Sequence, residues 1–129
     1  MNKPRERFVY YCIDKITNNV MYVGISNDPK TRIKRHLTEP HTKKGGSLFY
    51  YYLRYLKLIN QNPVFVIKEK IFQSYTDSEL HEAKHIGMHI DTVLNEMYGN
   101  GERIQKNRDA KKELKLKGVE VYNPHLKLK

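Results

Sequence analysis

The hydrophobic and polar positions of the chain alternate in short runs. Two of these runs, residues 8–13 and 20–25, are rich in β-branched and aromatic residues. The Asn18-Asn19 pair between them is a turn sequence, so the pattern predicts a β-hairpin. Residues 64–67 and 70–72 predict a third strand, either as separate short segments or as one strand with a charged interruption.

Helix signals lie between and after these strands. A polar cap followed by proline at residues 26–29 predicts a helix that ends near Leu37. Ser47 is the expected N-cap of a second helix, which Pro63 and the polar residues before it bring to an end.

A third helix is predicted to begin at residue 76 or 77 and to end near Ile90. Its predicted buried stripe contains Leu80, Ala83, Ile86 or Gly87, and Ile90. The resulting order, ββααβα, predicts an α+β fold with a small, mostly antiparallel, three-stranded sheet flanked by helices. We expect residues 1–98 to form this domain. Residues 99–129 are predicted to be a basic C-terminal extension, partly helical or flexible.

The charge and composition of the chain indicate its class of partner and its compartment. The 129 residues carry a formal net charge of +10, which favours a polyanionic partner, and nucleic acid is the first candidate. No apolar run approaches the roughly 20 residues of a membrane span, and no secretory signal is apparent. The single Cys12 fits a reducing compartment. We therefore expect a cytoplasmic protein that acts on DNA and has no membrane partner.

One candidate site is local. His81, Glu82 and His85 match the H-E-x-x-H motif of zinc peptidases on a predicted helix, and His89 extends the spacing by another four residues. Histidines stacked at this spacing spread along the helix axis instead of converging on one ion. The motif is also short, so a zinc peptidase is the weaker interpretation.

The other candidate site is distributed along the chain. Tyr11 and Tyr22 lie on the two strands of the predicted hairpin, with ten residues between them. Arg32 and His36 lie one turn apart on the first helix, and Glu82 lies on the third. Each residue alone is typical of packing or of a solvated surface, whereas the set in this order indicates a site.

The order and spacing of these residues resemble the GIY-YIG nuclease family. Its first motif corresponds to Val9-Tyr10-Tyr11 and its second to Tyr22-Val23-Gly24. The Arg-x-x-x-His sequence of the family corresponds to Arg32 and His36.

Later positions continue the resemblance. The metal-binding Glu of the family corresponds to Glu82, followed four residues later by the apolar Ile86, and its downstream Asn corresponds to Asn95. The resemblance covers residues 8–98 and includes the element order.

The resemblance implies a metal-dependent endonuclease that hydrolyses DNA phosphodiester bonds by a one-metal mechanism. In this interpretation Glu82 holds Mg²⁺ or Mn²⁺, Arg32 stabilises the transition state, and Tyr22 binds the water or the scissile phosphate. Contacts to the substrate are expected from four residues: Arg32, Lys34, Arg35 and Asn95.

Two assignments stay open at this point. The general base is either Tyr11, whose free phenol has a pKa near 10, or His36, whose imidazole titrates near 6.5. Glu79 is the rival of Glu82 as metal ligand, because it lies three residues earlier on nearly the same helix face. The spacing of the family favours Glu82.

Departures from the family pattern support an alternative function. Val9 stands where the family has Gly, Tyr10 stands where it has an apolar residue, and Ile25 stands where some members have a Lys. These differences favour the alternative of an inactive DNA-binding module on the same scaffold. The sequence also leaves open the DNA target and whether a homodimer cuts both strands.

Overall fold

The computed structural model describes residues 3–43, 45–95, 108–110 and 112–113. Its elements in chain order are β1 (Arg5–Ile13), β2 (Val20–Ser26), α1 (Pro29–Thr38), a short 3-10 helix (Glu39–His41), α2 (Leu48–Leu58), β3 (Val64–Gln73) and α3 (Tyr75–Met88). The predicted α+β class and ββααβα order are confirmed. In the part of the chain described here, no helix has the length and apolar character of a membrane span.

The sheet has the strand order β2-β1-β3, and both pairs of strands are antiparallel. β3 is one continuous strand. Its pairing with β1 shifts between Tyr10↔Ile67 and Val9↔Glu69, so Lys68 is an extra residue in the ladder. This bulge lies at the charged interruption seen in the sequence.

The hairpin between β1 and β2 is stabilised by its own turn residues. The Asp14 carboxylate accepts hydrogen bonds from the backbone N–H groups of Ile16 and Thr17, at 2.9 and 3.0 Å. Asn18 has φ of 64°, a left-handed conformation that Asn tolerates better than most residues. The predicted asparagine turn is therefore present.

The outer edge of β2 is covered by the chain after α3. Leu94 donates a backbone hydrogen bond to Met21 (2.7 Å), and the Thr92 hydroxyl donates to the carbonyl of Val20 (2.6 Å). An edge strand with unpaired backbone groups invites pairing with other chains, and these contacts prevent it along β2.

The described residues divide into two compact units. The first contains residues 3–33 and 63–95, and the second contains residues 34–62 together with 108–110 and 112–113. The boundary falls within α1. Our predicted boundary near residue 98 and most of the predicted basic extension lie outside the described residues, although 108–110 and 112–113 are helical.

The core of the first unit is formed by the middle of the sheet and by α3. Its buried apolar side chains are Val9, Tyr10, Tyr11, Cys12, Val23, Ile71, Ile86 and Val93. Helix α3 begins one residue before the predicted range, because the Ser74 side chain accepts a hydrogen bond from the Asp77 N–H and caps it.

The predicted buried stripe of α3 was right at Ile86, which is buried, and wrong at Leu80 and Ile90, which are 66% and 41% exposed. Leu80 and Ile86 are six positions apart, which places them about 120° apart around a helix. Ser78, rather than Leu80, is the other buried residue of α3.

The second unit is built around α2. Ser47 caps this helix as predicted, with its side chain accepting a hydrogen bond from the Tyr50 N–H. Tyr51 and Tyr52 are buried, as are Leu48, Leu53 and Leu56 of the same helix. The buried Arg54 guanidinium donates to the backbone carbonyls of Pro40 and Lys43, so it holds the loop before α2 in place.

Candidate active site

Tyr10 and Tyr11 are adjacent on the central strand and therefore point to opposite faces of the sheet. Tyr10 pairs with Gly24 of β2, and Tyr11 pairs with Val23. Tyr22 pairs with Cys12, which places it on the face of Tyr10. The rings of Tyr10 and Tyr22 are 6.3 Å apart between centroids.

Gly24 leaves the space that the Tyr10 ring fills. A Cβ atom at Gly24 would lie 2.3 Å from Cζ and 2.4 Å from the hydroxyl oxygen of Tyr10. No real Cβ contact is that short, so the ring of Tyr10 lies directly across the glycine. This approach gives a physical reason for the glycine that follows Tyr22 and Val23.

The charges of Arg32 and Glu82 act on both of these tyrosines. The Arg32 guanidinium donates a hydrogen bond to the Tyr10 hydroxyl. Burial raises the pKa of Tyr10 well above its usual range, the Tyr22 and Glu82 charges raise this pKa further, and the Arg32 charge opposes them. The pKa of Tyr22 is also raised, first by burial and then by Glu82. Both phenols are therefore hydrogen-bond donors at neutral pH.

Tyr11 has different neighbours on the opposite face. Its hydroxyl lies 2.6 Å from Nδ1 of His85, and its ring meets those of His85 and His89 edge to face. The Lys68 ammonium lies 5.6 Å from the centre of the Tyr11 ring. Burial raises the pKa of Tyr11, and the nearby Glu69 carboxylate raises it further. The structure thus separates Tyr11 from Tyr22, which we had grouped with it.

Two histidines of α3 converge with Glu69 of β3. The Nε2 atoms of His81 and His85 lie 2.7 and 3.0 Å from Oε1 of Glu69. These hydrogen bonds lower the pKa of Glu69, so the carboxylate is ionised. We had expected the histidines to spread along the helix, but two of them point to one carboxylate.

The predicted residues of the second half of α1 belong to the second unit. His36 is buried, with its ring edge to face against those of Phe49 and Tyr50. Arg35 forms an exposed ion pair with Glu39 at 3.7 Å. Lys34 is exposed. The roles predicted for Lys34, Arg35 and His36 stay predictions.

Asn95 binds the backbone of β2 with both ends of its side-chain amide. Its Oδ1 accepts a hydrogen bond from the Val23 N–H at 3.1 Å, and its Nδ2 donates to the Val23 carbonyl at 2.8 Å. Asn95 therefore fixes the strand that carries Tyr22 and Gly24. The predicted contact between Asn95 and substrate stays a prediction.

The side chains around Tyr10 offer one cationic group, the guanidinium of Arg32, and otherwise only oxygen atoms. Glu82 is a half-buried carboxylate and Arg32 is an exposed guanidinium. Carboxylate oxygens suit Mg²⁺, whereas a planar guanidinium suits the oxygens of a phosphate. This combination fits a site for a phosphodiester and a hard divalent cation.

A family comparison agrees with this geometry. The model of the GIY-YIG catalytic domain matches residues 7–89, which is more than half of the chain. The chain belongs to the GIY-YIG family. GIY-YIG domains are metal-dependent nuclease domains, so DNA is the class of substrate that this family membership indicates. No curated protein and no solved structure shows significant similarity to the chain.

Sequence reasoning missed Tyr10 and Glu69. Counting ten residues between Tyr11 and Tyr22 does not reveal which tyrosine shares the face of Tyr22, because that depends on the strand register. The one signal available was Gly24, whose missing side chain marks a close approach. Glu69 has no signal, since it is twelve residues from His81 and on another element.

Proposed function

We propose that this GIY-YIG protein is a Mg²⁺-dependent endonuclease that hydrolyses phosphodiester bonds of DNA. The observation that carries the proposal is the grouping of Tyr10, Tyr22, Arg32 and Glu82 in the first unit. Hydrolysis of a phosphodiester needs neutralisation of the phosphoryl charge, a positioned water and a hard cation. The four side chains offer a binding group for each of these.

Arg32 binds the scissile phosphate in this proposal. Its guanidinium is exposed, and its planar shape matches two phosphoryl oxygens. The hydrogen bond to the Tyr10 hydroxyl orients the guanidinium before DNA binds. Charge that develops on the phosphoryl oxygens during hydrolysis is then stabilised by a preorganised cation.

Glu82 is the proposed ligand of Mg²⁺ or Mn²⁺. Its charge acts on both Tyr10 and Tyr22, as does the charge of Arg32, and this shared influence supports a cation position near the phosphate proposed for Arg32. Mg²⁺ retains most of its waters and needs few protein carboxylates, which fits a single Glu. When bound, the cation supplies Lewis acidity to the phosphate and to water.

The two tyrosines have different roles in this proposal. Because burial raises the pKa values of Tyr10 and Tyr22, their hydroxyl groups retain their protons. The half-buried Tyr22 donates to the phosphate or to the attacking water, whereas the buried Tyr10 orients Arg32. Tyr10, instead of Tyr11, is the β1 tyrosine of the proposed site. His36 is the proposed general base, on the basis of the Arg-x-x-x-His sequence alone.

The net charge of +10 supports binding to the DNA backbone, with Lys34 and Arg35 as proposed phosphate contacts. Cleavage of both strands by a homodimer and a cytoplasmic location belong to the same proposal. The zinc peptidase alternative is not part of this proposal, in which Glu82 is the Mg²⁺ ligand and not the base of the H-E-x-x-H motif.

Cleavage of supercoiled plasmid in MgCl₂, with DNA binding measured in parallel, tests the proposed function. We expect Arg32→Ala and Glu82→Gln to reduce the cleavage rate on the order of 100-fold or more. Glu82→Gln should still bind DNA. Glu79→Gln is the matched control, because Glu79 is an exposed carboxylate of the same helix, and it should cut at the wild-type rate.

Two results would contradict the proposal. Cleavage by Glu82→Gln at the wild-type rate would exclude Glu82 as the metal ligand. DNA binding by the wild type without cleavage in either Mg²⁺ or Mn²⁺ would favour the inactive DNA-binding module.

A further inference from the structure

We propose that Glu69, His81 and His85 form a Zn²⁺ site on the face of the sheet opposite Tyr10. The three residues each offer one ligand atom, and these atoms all lie within 4.8 Å of one another. Neither Glu82 nor Arg32 belongs to this cluster. The site is therefore separate from the Mg²⁺ position of the proposed nuclease.

The ligand atoms are already close to the arrangement that zinc requires. Atoms bound to one tetrahedral Zn²⁺ at about 2.0–2.1 Å lie about 3.3 Å apart. The Nε2 atoms of His81 and His85 lie 2.7 and 3.0 Å from Oε1 of Glu69. The two nitrogen–oxygen distances therefore need to lengthen by only about 0.6 and 0.3 Å, with loss of the two hydrogen bonds to the carboxylate.

The fold supports the two histidines as ligands. Residues 81 and 85 are one helical turn apart on α3, which places both imidazoles on the same helix face. Glu69 reaches this face from β3 because the bulge at Lys68 gives it the orientation of Val9 and Tyr11. One carboxylate and two imidazoles then come from two different elements of the first unit.

Tyr11 fixes the ring of His85. Its hydroxyl lies 2.6 Å from Nδ1 of that ring. When Nε2 binds a metal, Nδ1 carries the proton and donates it in a hydrogen bond to the Tyr11 oxygen. Ligating histidines typically have such a partner on the other ring nitrogen, which sets the tautomer and the ring orientation. Tyr11 is therefore a positioning residue for the proposed zinc site.

The donor chemistry selects zinc over the cation of the nuclease site. Two imidazole nitrogens and one carboxylate oxygen are common Zn²⁺ ligands, whereas Mg²⁺ and Ca²⁺ prefer oxygen ligands only. The side chains of His81 and His85 are 18% and 12% exposed, and that of Glu69 is 43% exposed. Solvent thus reaches the cluster and supplies a water as fourth ligand.

Titration of the full-length protein with ZnCl₂ against a chromophoric chelator, in excess MgCl₂, tests the site. We expect the wild type to bind one Zn²⁺. Glu69→Gln and His81→Ala should each lose this binding. Tyr11→Phe retains the ring and removes the hydroxyl, and it should weaken binding about 10- to 100-fold. His89→Ala is the matched control, since His89 contacts Tyr11 but is not a ligand, and its affinity should remain that of the wild type.

Thermal unfolding provides an independent measurement. Zn²⁺ binds only the folded site, so it should raise the Tm of the wild type and of His89→Ala, but not that of Glu69→Gln. Equal zinc affinity and equal Tm shifts in the wild type, Glu69→Gln and His81→Ala would overturn the proposal. So would displacement of the zinc by millimolar Mg²⁺. Neither result depends on DNA cleavage.

Discussion

The two faces of the central strand differ sharply although their key tyrosines are neighbours in sequence. On one face, the Tyr10 hydroxyl accepts a hydrogen bond from Arg32 and lies near Tyr22 and Glu82. On the other face, the Tyr11 hydroxyl contacts the imidazole of His85. The first environment has oxygen ligands and a guanidinium, and the second has imidazole nitrogens and a carboxylate.

This difference shows that strand register, more than the residue sequence of the motif, decides which side chains share a site. A shift of one residue in a strand exchanges the side chains of its two faces. In this sheet the exchange would bring Tyr11 to Arg32 and Tyr10 to the histidines. Each substitution below therefore changes one face of the sheet at a time.

The largest effect on the Tyr10 face is expected from Gly24→Ala. The added methyl group would lie 2.3 Å from the buried Tyr10 ring, which must move and lose its hydrogen bond with Arg32. We expect a loss of about 1–3 kcal/mol in the free energy of unfolding, typical of an overpacked core, together with loss of cleavage. Denaturant unfolding and plasmid cleavage measure the two effects.

Gly87→Ala is the control for Gly24→Ala. Gly87 is exposed in α3, and a Cβ atom at this position meets nothing within 4 Å. Alanine is the better helix former, so stability should rise by about 0.5–1 kcal/mol. A wild-type stability for Gly24→Ala would show that Tyr10 does not lie across the glycine.

A smaller effect on the free energy of unfolding is expected at alkaline pH. The pKa of Tyr10 is raised in the folded protein, so its contribution to stability is complete below the unfolded pKa near 10 and is lost as the pH rises toward the folded pKa. Stability measured by denaturant unfolding should then fall with pH above about 10, by up to about 1.4 kcal/mol per pH unit for this group.

Tyr10→Phe should make that fall less steep. Tyr11→Phe should change it less, because the rise in the pKa of Tyr11 is smaller than that of Tyr10. Equal slopes in the wild type and in Tyr10→Phe would contradict burial of a protonated Tyr10.

Local sequence signals were sufficient for much of the fold. The Asn18 turn and the Ser47 cap depend on residues within a few positions of each other, and both are present. The proline at the start of α1 is also a local signal, and this helix begins at Pro29 as predicted. Such signals act through backbone hydrogen bonds that a short segment makes by itself.

The arrangement of the candidate sites depends on contacts that no short segment contains. Tyr10 joins Arg32 and Glu82 only because β1 and β2 pair in one register, and that register is set by the turn and by the packing of the whole sheet. Glu69 meets His81 only because β3 has a bulge and α3 packs against the sheet. The sequence was enough to name Tyr11, Tyr22, Arg32 and Glu82 as candidates, whereas the placement of Tyr10, rather than Tyr11, on the face of Tyr22 was not predictable.

The most direct test of the account compares cleavage of plasmid DNA by Tyr10→Phe and Tyr11→Phe in Mg²⁺ without zinc. Each variant retains its ring and loses one hydroxyl. We predict that Tyr10→Phe lowers kcat on the order of 10- to 100-fold, since it removes the hydroxyl that orients Arg32, and that its effect exceeds that of Tyr11→Phe at least tenfold. A larger loss for Tyr11→Phe, with cleavage retained by Tyr10→Phe, would contradict the assignment of Tyr10 to the active site.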